Sequence, residues 1–334
     1  MALLAAFALA LVLSLLLTPL GVRLAWVSGY LDHPEARKLH TSATALLGGT
    51  VVFVSALLSW LISLGGTSTP ARDVLCVLGG AAVILVVGLW DDRFGLGVQI
   101  KLLGQFSASA LLLASGLVPD LGLGPVLNVS LTLLALVALM NAVNFLDNMN
   151  GMVAGYAAIA LVGFAWGSIL RGAFGVATAQ LALAGACAGF LRYNFPQARI
   201  FLGDAGSLFL GYSLGASAVM AYVGIPSGWG LAAPFLALAY PMFDIIFVVV
   251  NRLREGRPIS QGGKDHSNHR LARIIQCQKR TVILTWLVGA ALSASALVVQ
   301  SLNSALPTLL LSGLWAMFFL MAGLRLSSVE HRSP

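Results

Sequence analysis

Four asparagines and one aspartate fall within ten residues of an otherwise apolar chain: Asn141, Asn144, Asp147, Asn148 and Asn150, in the segment Asn141-Ala-Val-Asn-Phe-Leu-Asp-Asn-Met-Asn-Gly151. Positions 141, 144 and 147–148 are spaced to share one helical face. Amide oxygens and carboxylates are hard donors suited to Mg²⁺, and amides also hydrogen-bond a base or a sugar. A plain polar connector is the alternative, and it rarely needs this many amides between apolar stretches. Upstream, Asp91 and Asp92 are adjacent, so on a helix they diverge by about 100° and serve two separate partners. Their bland reading is a helix end neutralised by Arg93. Lys101, nine residues on, suits either an interfacial anchor or a phosphate contact beside the acids. In Phe201-Leu-Gly-Asp-Ala-Gly-Ser207, Asp204 stands between glycines that let backbone N–H groups approach a ligand. Asp204 is more natural as a Mg²⁺ ligand than as a phosphate contact, because two anions repel. Taken alone, that segment is also ordinary turn chemistry.

The loop 251–280 carries Arg252, Arg254, Arg257, Lys264, His266, His269, Arg270 and Arg273. His266 and His269 are three apart and compatible with one helical face. Zinc is disfavoured, since no Glu lies between them and no cysteine cluster adds ligands. Histidines among arginines fit a polyphosphate cradle, while topology enforcement or attraction to anionic lipid are the plainer uses of a basic loop. Asp244, seven residues before Asn251, is expected to pair with a buried base or to orient this loop. Acids that hold Mg²⁺, amides and a basic cradle together suggest phosphoryl transfer between a soluble donor and a lipid acceptor. No Walker A or kinase signature is present, so ATP hydrolysis has no support.

These residues must be positioned by membrane helices. The chain has 334 residues, of which 59% are hydrophobic and 9% charged, with mean hydropathy +0.92. A soluble domain is about one quarter charged. A crossing helix needs roughly 20 apolar residues. That ruler gives eleven candidates, near 2–25, 48–66, 74–90, 98–117, 125–141, 152–170, 174–191, 207–224, 229–250, 281–300 and 307–325. The first lacks a basic leader and reads as a helix rather than a cleaved signal. With the N-terminus outside, seventeen of the nineteen Arg and Lys residues fall on one side, and only Arg72 and Arg171 on the other. This bias predicts a cytoplasmic face for all the polar islands. The expectation is an all-α polytopic membrane protein of about eleven spans, one membrane-embedded domain over 1–334. Cys76, Cys187 and Cys277 are an odd, scattered set that predicts no disulfide or metal framework. No internal repeat is evident, which weakens a transporter built from two similar halves.

Read together, the motifs resemble the polyprenyl-phosphate N-acetylhexosamine-1-phosphate transferases, the glycosyltransferase family 4 enzymes. The matching segments are Asp32-x-Pro34…Arg37-Lys38-x-His40, Gly88-x-x-Asp91-Asp92, Asn141 to Gly151, Asn194 to Ser207, Pro241-x-Phe-Asp244 and His266-Ser-Asn-His269-Arg-Leu271. The resemblance implies a cytoplasmic active site and a Mg²⁺-dependent (or Mn²⁺-dependent) reaction. In it, a lipid phosphate attacks the β-phosphorus of a UDP-N-acetylhexosamine and UMP leaves. It implies that Asp204 binds the metal with Asn144 as second ligand, and that Asp91, beside Asp92, assists the lipid phosphate. It also implies catalytic duties for Asp147, His266 and His269, and substrate contacts for Lys38, His40, Lys101, Asn141, Asn150 and Arg270. The implied setting is the bacterial plasma (inner) membrane, at the first membrane step of a cell-envelope glycan such as lipopolysaccharide or teichoic acid. Polyprenyl phosphate and membrane lipid are the expected partners; no nucleic acid is expected, and a homodimer is left open.

Three departures from the family pattern concern the sugar rather than the reaction. Many bacterial members have Asp where this chain has Asn150. Asn268 replaces one histidine of the common His-x-His-His. Thr44-Ala45 stands where many members have Thr-Pro. A muramoyl-pentapeptide transferase is the runner-up, disfavoured because its triple histidine is absent. A transporter of anionic solutes is the reading from another class. It would be expected to place polar groups near the midplane on broken spans, whereas these acids cluster at helix ends, with Asp244 a partial exception.

Overall fold

The computed structural model describes residues 2–33, 43–63, 71–221, 228–259 and 263–329. Thirteen α-helices carry almost all of these residues: α1 (Ala2–Ser28), α2 (Gly48–Ser63), α3 (Ala71–Phe94), α4 (Val98–Ala114), α5 (Pro125–Leu146), α6 (Met152–Leu170), α7 (Phe174–Asn194), α8 (Gly203–Met220), α9 (Ala232–Ala237), α10 (Ala239–Arg254), α11 (Ser267–Ile275), α12 (Gln278–Leu302) and α13 (Ala305–Ser327). The named strands among the described residues are an antiparallel pair, β1 (Leu31–Asp32) and β2 (Thr44–Ala45), with Leu31 opposite Ala45.

All eleven apolar segments coincide with helices in chain order. Seven of these helices are long and apolar enough to cross a membrane, and the bent pair around α9 and α10 makes an eighth. The difference from eleven lies in α2, α4 and α8. The first two have only 16 and 17 residues. In α8, thirteen of eighteen residues are buried. A helix wrapped by other helices has no need of a lipid-compatible surface, so Gly and Ser dilute its apolarity.

Small residues bring the helices together. Ala6, Ala10, Ser14, Thr18, Gly21 and Ala25 form a buried stripe at three- and four-residue spacing along α1. Facing α1, a Cβ at Gly185 or Gly189 of α7 would collide with the backbone of Phe7 or Leu11. The bend between Trp229–Ala237 and Ala239–Arg254 is 66°. Pro241 lacks the N–H that would have bonded the Ala237 carbonyl. Tyr156 of α6 satisfies that carbonyl instead, its hydroxyl donating at 2.7 Å.

The polar islands converge on one end of the bundle. The Gly48 and Gly49 N–H groups opening α2 donate to the carbonyls of Phe201 and Leu202 at 3.1 and 2.9 Å, satisfying donors that a helix start leaves free. A Cβ at Gly49 would strike the Gly206 backbone, and one at Gly88 the Ala205 backbone, so α2 and α3 both close tightly on the start of α8. Arg93 ties the end of α3 to the end of α1 by donating to the Ser28 and Gly29 carbonyls at 3.1 and 2.6 Å.

A Gly→Ala change in a free helix interior is stabilising by up to about 1 kcal/mol. At Gly185 the sign reverses, because the new methyl meets backbone; overpacking there is expected to cost about 1–3 kcal/mol. Gly313→Ala, with open space around it, should be neutral or stabilising. Thermal unfolding of the two variants in detergent checks this; equal melting temperatures would contradict the packing.

Candidate active site

Four helices meet around one lysine. Lys101, in the first turn of α4, extends its ammonium to Asp91 Oδ2 near the end of α3 and to Asp204 Oδ2 at the start of α8, the latter at 2.9 Å. The other Asp204 oxygen accepts from Asn144 Nδ2 of α5 at 2.8 Å, and the same amide donates to Ser207 Oγ at 2.9 Å. Asp91 Oδ1 accepts from the Leu96 N–H at 2.6 Å, which folds the α3–α4 turn back onto the acid.

Asp92 points elsewhere, as adjacency on a helix requires. Its two oxygens accept from the Asp204 and Ala205 N–H groups at 2.8 and 3.1 Å. It therefore caps α8 by accepting two of its free N–H groups, and thereby fixes where the Asp204 side chain begins. Gly203 enters this cap at φ +74°, and a Cβ there would strike the Asp92 carboxylate.

The Asn141–Gly151 segment joins this cluster to a second one. Asn141 pairs amide to amide with Gln105 of α4, at 2.6 and 3.3 Å. Asp147 ends α5 half-buried; burial, then the nearby Asp204 charge, pushes its carboxyl up to about 7. Asn148 Oδ1 accepts from Asn268 Nδ2 at 2.7 Å, and Phe145 packs edge-on against His266 with ring centroids 5.9 Å apart. Asn150 Nδ2 donates to the Pro196 carbonyl at 3.1 Å, and the Gly151 N–H donates to Asn194 Oδ1 at 2.7 Å. The turn into α6 is thus held against the end of α7.

In the second cluster, buried Asp244 on α10 receives three groups from the start of α11. His266 Nδ1 lies 2.8 Å from Asp244 Oδ2, while the Ser267 N–H and hydroxyl donate to Oδ1 at 2.8 and 2.5 Å. This carboxylate fixes which histidine nitrogen faces inward and leaves Nε2 for other work. The His269 ring stands 5.8 Å from His266. Burial and the His266 charge push His269 down to about 4, so it is an uncharged imidazole at neutral pH. Behind them, Asp265 accepts both Nε and Nη2 of Arg252 at 2.8 Å, each side chain 1% exposed. Burial alone would raise the Asp265 carboxyl, but the Arg252 guanidinium outweighs it and holds the group well below the usual carboxylate range. Arg257 adds a second contact to Asp265 at 2.9 Å.

Of the residues expected from sequence, Asp91, Lys101, Asn144 and Asp204 come into direct contact, with Asp92 beside them and Asp147 close enough for its charge to be felt. His266 and His269 form the neighbouring cluster. Arg270 is buried behind the second: its Nε donates to the Asp265 carbonyl at 3.3 Å, and its Nη1 donates to the Leu326, Ser327 and Val329 carbonyls at 3.3, 3.2 and 3.3 Å, tying α11 to the end of α13. Lys38 and His40, with Arg37, lie outside the described residues. Gln105, Ser207 and Asp265 were not expected. Gln105 had one readable signal, its position four residues after Lys101 on the same helix face.

No group of three or more His, Cys, Asp or Glu side chains forms a metal cage among the described residues. Mg²⁺ seldom needs one, being held by one or two carboxylates together with substrate phosphates. Asp204 is such a carboxylate, and Asn144, whose Nδ2 donates to it here, would turn its Oδ1 to the ion. Asp91 and Asp204 share a single ammonium, so the cluster carries more negative charge than its lysine balances. The residues fit a divalent cation.

The family model for Glycosyl transferase family 4 matches residues 74–222, which hold both aspartate motifs and the asparagine segment. The chain is 32% identical over 305 residues to a Bacillus subtilis protein named probable undecaprenyl-phosphate N-acetylglucosaminyl 1-phosphate transferase, covering 89% of this chain and 84% of the relative. It is also 32% identical over 295 residues to the decaprenyl-phosphate N-acetylglucosaminephosphotransferase of Mycobacterium tuberculosis, covering 78% and 73%. A phospho-N-acetylmuramoyl-pentapeptide-transferase of Desulforudis audaxviator is 29% identical over 326 residues, covering 86% and 94%. Likeness of this extent, running through the residues that build the site, makes the chain a member of glycosyl transferase family 4.

Proposed function

We propose that this protein transfers GlcNAc-1-phosphate from UDP-GlcNAc to a polyprenyl phosphate, releasing UMP, as the first membrane step of a cell-envelope glycan. The observation that carries this reading is the Asp91–Lys101–Asp204–Asn144 contact. It gathers acids, one cation and an amide at the polar end of a membrane bundle. The names of the 32%-identical relatives support the sugar and the lipid acceptor. The lower identity to the muramoyl-pentapeptide enzyme and the presence of Asn268 in place of a histidine favour GlcNAc over the larger donor.

The setting is a multi-pass protein of the bacterial plasma membrane, with α2, α4 and α8 completing eleven crossings and the active-site end in the cytoplasm. The supporting facts are the seventeen basic residues assigned to that side and the gathering of every described polar island at one end of the bundle. The positive-inside bias supports this orientation.

In the reaction, an oxygen of the lipid phosphate forms a bond to the β-phosphorus. The bond from that phosphorus to the oxygen bridging to the α-phosphate breaks, and the oxygen leaves with UMP. Asp204 and the Asn144 Oδ1 would hold Mg²⁺, which when bound would neutralise diphosphate charge. Lys101, lying between Asp91 and Asp204, contacts a phosphate oxygen as that charge shifts. Asp91 assists the attacking lipid phosphate, and Asp92 acts as a positioning residue through its cap on α8. Asp147 and Asn150 border the nucleotide side. His266, oriented by Asp244, supplies a hydrogen bond to the diphosphate from Nε2, next to neutral His269.

Purified protein incubated with UDP-GlcNAc, polyprenyl phosphate and Mg²⁺ should yield UMP and a lipid-linked sugar in equal amounts, and chelation by EDTA should stop both. Absence of UMP across a panel of UDP-sugars would refute the transferase reading. Asp204→Ala is expected to lower turnover about a thousandfold or more; wild-type turnover would refute the metal assignment. Asp244→Asn should cost about 10–100-fold, the usual effect of removing a histidine's orienting carboxylate. Placed on top of His266→Ala, it should cost little more, because it acts through that histidine. Fully additive losses would show that Asp244 works independently.

A further inference from the structure

At the opposite ends of α2, α3, α7 and α8 from the active site lies a half-open cavity of about 130 Å³. Phe53, Leu57, Leu78, Leu183 and Phe209 give it apolar walls. Asp73, Tyr212, Ser213 and Ser217 also line it, and two further polar side chains there carry an unpaired donor. Trp60 Nε1 and Gln180 Nε2 are buried and have no hydrogen-bond partner. The other Gln180 amide atom is used, since its Oε1 accepts from Ser168 Oγ at 2.9 Å. A buried tryptophan N–H normally finds an acceptor, and an unpaired buried donor costs the desolvation of the group. Two such orphans lining one cavity imply a ligand that brings acceptor oxygens to it.

The chemistry of the lining narrows the ligand. Trp60 lies three residues from the end of α2 and Gln180 six residues from the start of α7, so both donors sit towards the same end of the bundle. An isoprenoid tail has apolar carbon to fill the walls and no acceptor for the two donors. A diacyl glycerolipid has both.

We propose that this cavity is a binding site for an ester-linked glycerophospholipid of the leaflet opposite the active site. Its ester carbonyls accept from Trp60 and Gln180, and an acyl segment lies against Phe53 and Phe209. Asp73 at the cavity lining disfavours an anionic headgroup, so phosphatidylethanolamine is the probe. The site is independent of the transferase reading.

The test is native mass spectrometry of the full chain released from detergent, titrated with palmitoyl-oleoyl phosphatidylethanolamine and, separately, with its diether analogue. The wild type should retain one diester lipid and hold the diether lipid about tenfold more weakly, as loss of one or two hydrogen bonds predicts. The Trp60→Phe, Gln180→Leu double variant should lose that preference. Equal retention of the two lipids by the wild type would overturn the proposal, as would an undiminished diester preference in the double variant. The diether comparison uses the wild type, so it stands even if the variant folds poorly.

Discussion

A lysine shared by two carboxylates at one end of an apolar helix bundle is costly to assemble. Ions near lipid lose hydration, and the loss is recovered only when opposite charges and hydrogen bonds are already in place. Lys101, Asp91, Asp204 and Asn144 come from four different helices, so none of these groups can be satisfied until α3, α4, α5 and α8 have docked. Tight glycine contacts make that docking possible, with Gly49 and Gly88 lying directly against the start of α8. The rest of the bundle can be understood as the scaffold that holds this charge arrangement in register.

The same logic explains why α8 is so buried and so weakly apolar. Its N-terminus must present Asp204 while its first N–H groups are occupied by Asp92. An acid at that position serves the helix and leaves the site one carboxylate that is not free to move. The second cluster repeats the arrangement on the other side of the asparagine segment. There Asp244 orients His266 at the start of α11, and the Arg252–Asp265 pair, 1% exposed on each side, anchors the loop behind it. Asn148 and Phe145 connect the two clusters.

Much of this was readable in the sequence, because membrane helices follow apolar length and charges near lipid have few places to go. Adjacent Asp91 and Asp92 were expected to serve separate partners, and they do: one meets Lys101, the other the backbone of α8. Other features depend on contacts that no local pattern encodes. Gln105 meets Asn141 across 36 positions, and Asp244 meets His266 across 22. Arg270 sits in a motif that resembles substrate contact; its Nη1 ties α11 to the end of α13, while its buried Nη2 has no hydrogen-bond partner. The start of α8 was set at 207 rather than 203, because Gly-Asp-Ala-Gly reads as a turn until Asp92 is seen to cap it. Length and apolarity mark seven or eight crossings among the described residues, and α2, α4 and α8 are too short or too polar to pass the same test.

The central claim is that Asp204 and Lys101 divide the work of charge, the acid for a divalent metal and the ammonium for phosphate. The most direct measurement is a structure of the full chain with Mn²⁺ and UDP-GlcNAc, read by manganese anomalous scattering. The account predicts one strong peak about 2.1 Å from an Asp204 oxygen, at the usual spacing of a small hard cation, with the Lys101 ammonium moved from Asp204 onto the diphosphate. A peak at the His266–His269 pair, with Lys101 still closed on Asp204, would contradict it.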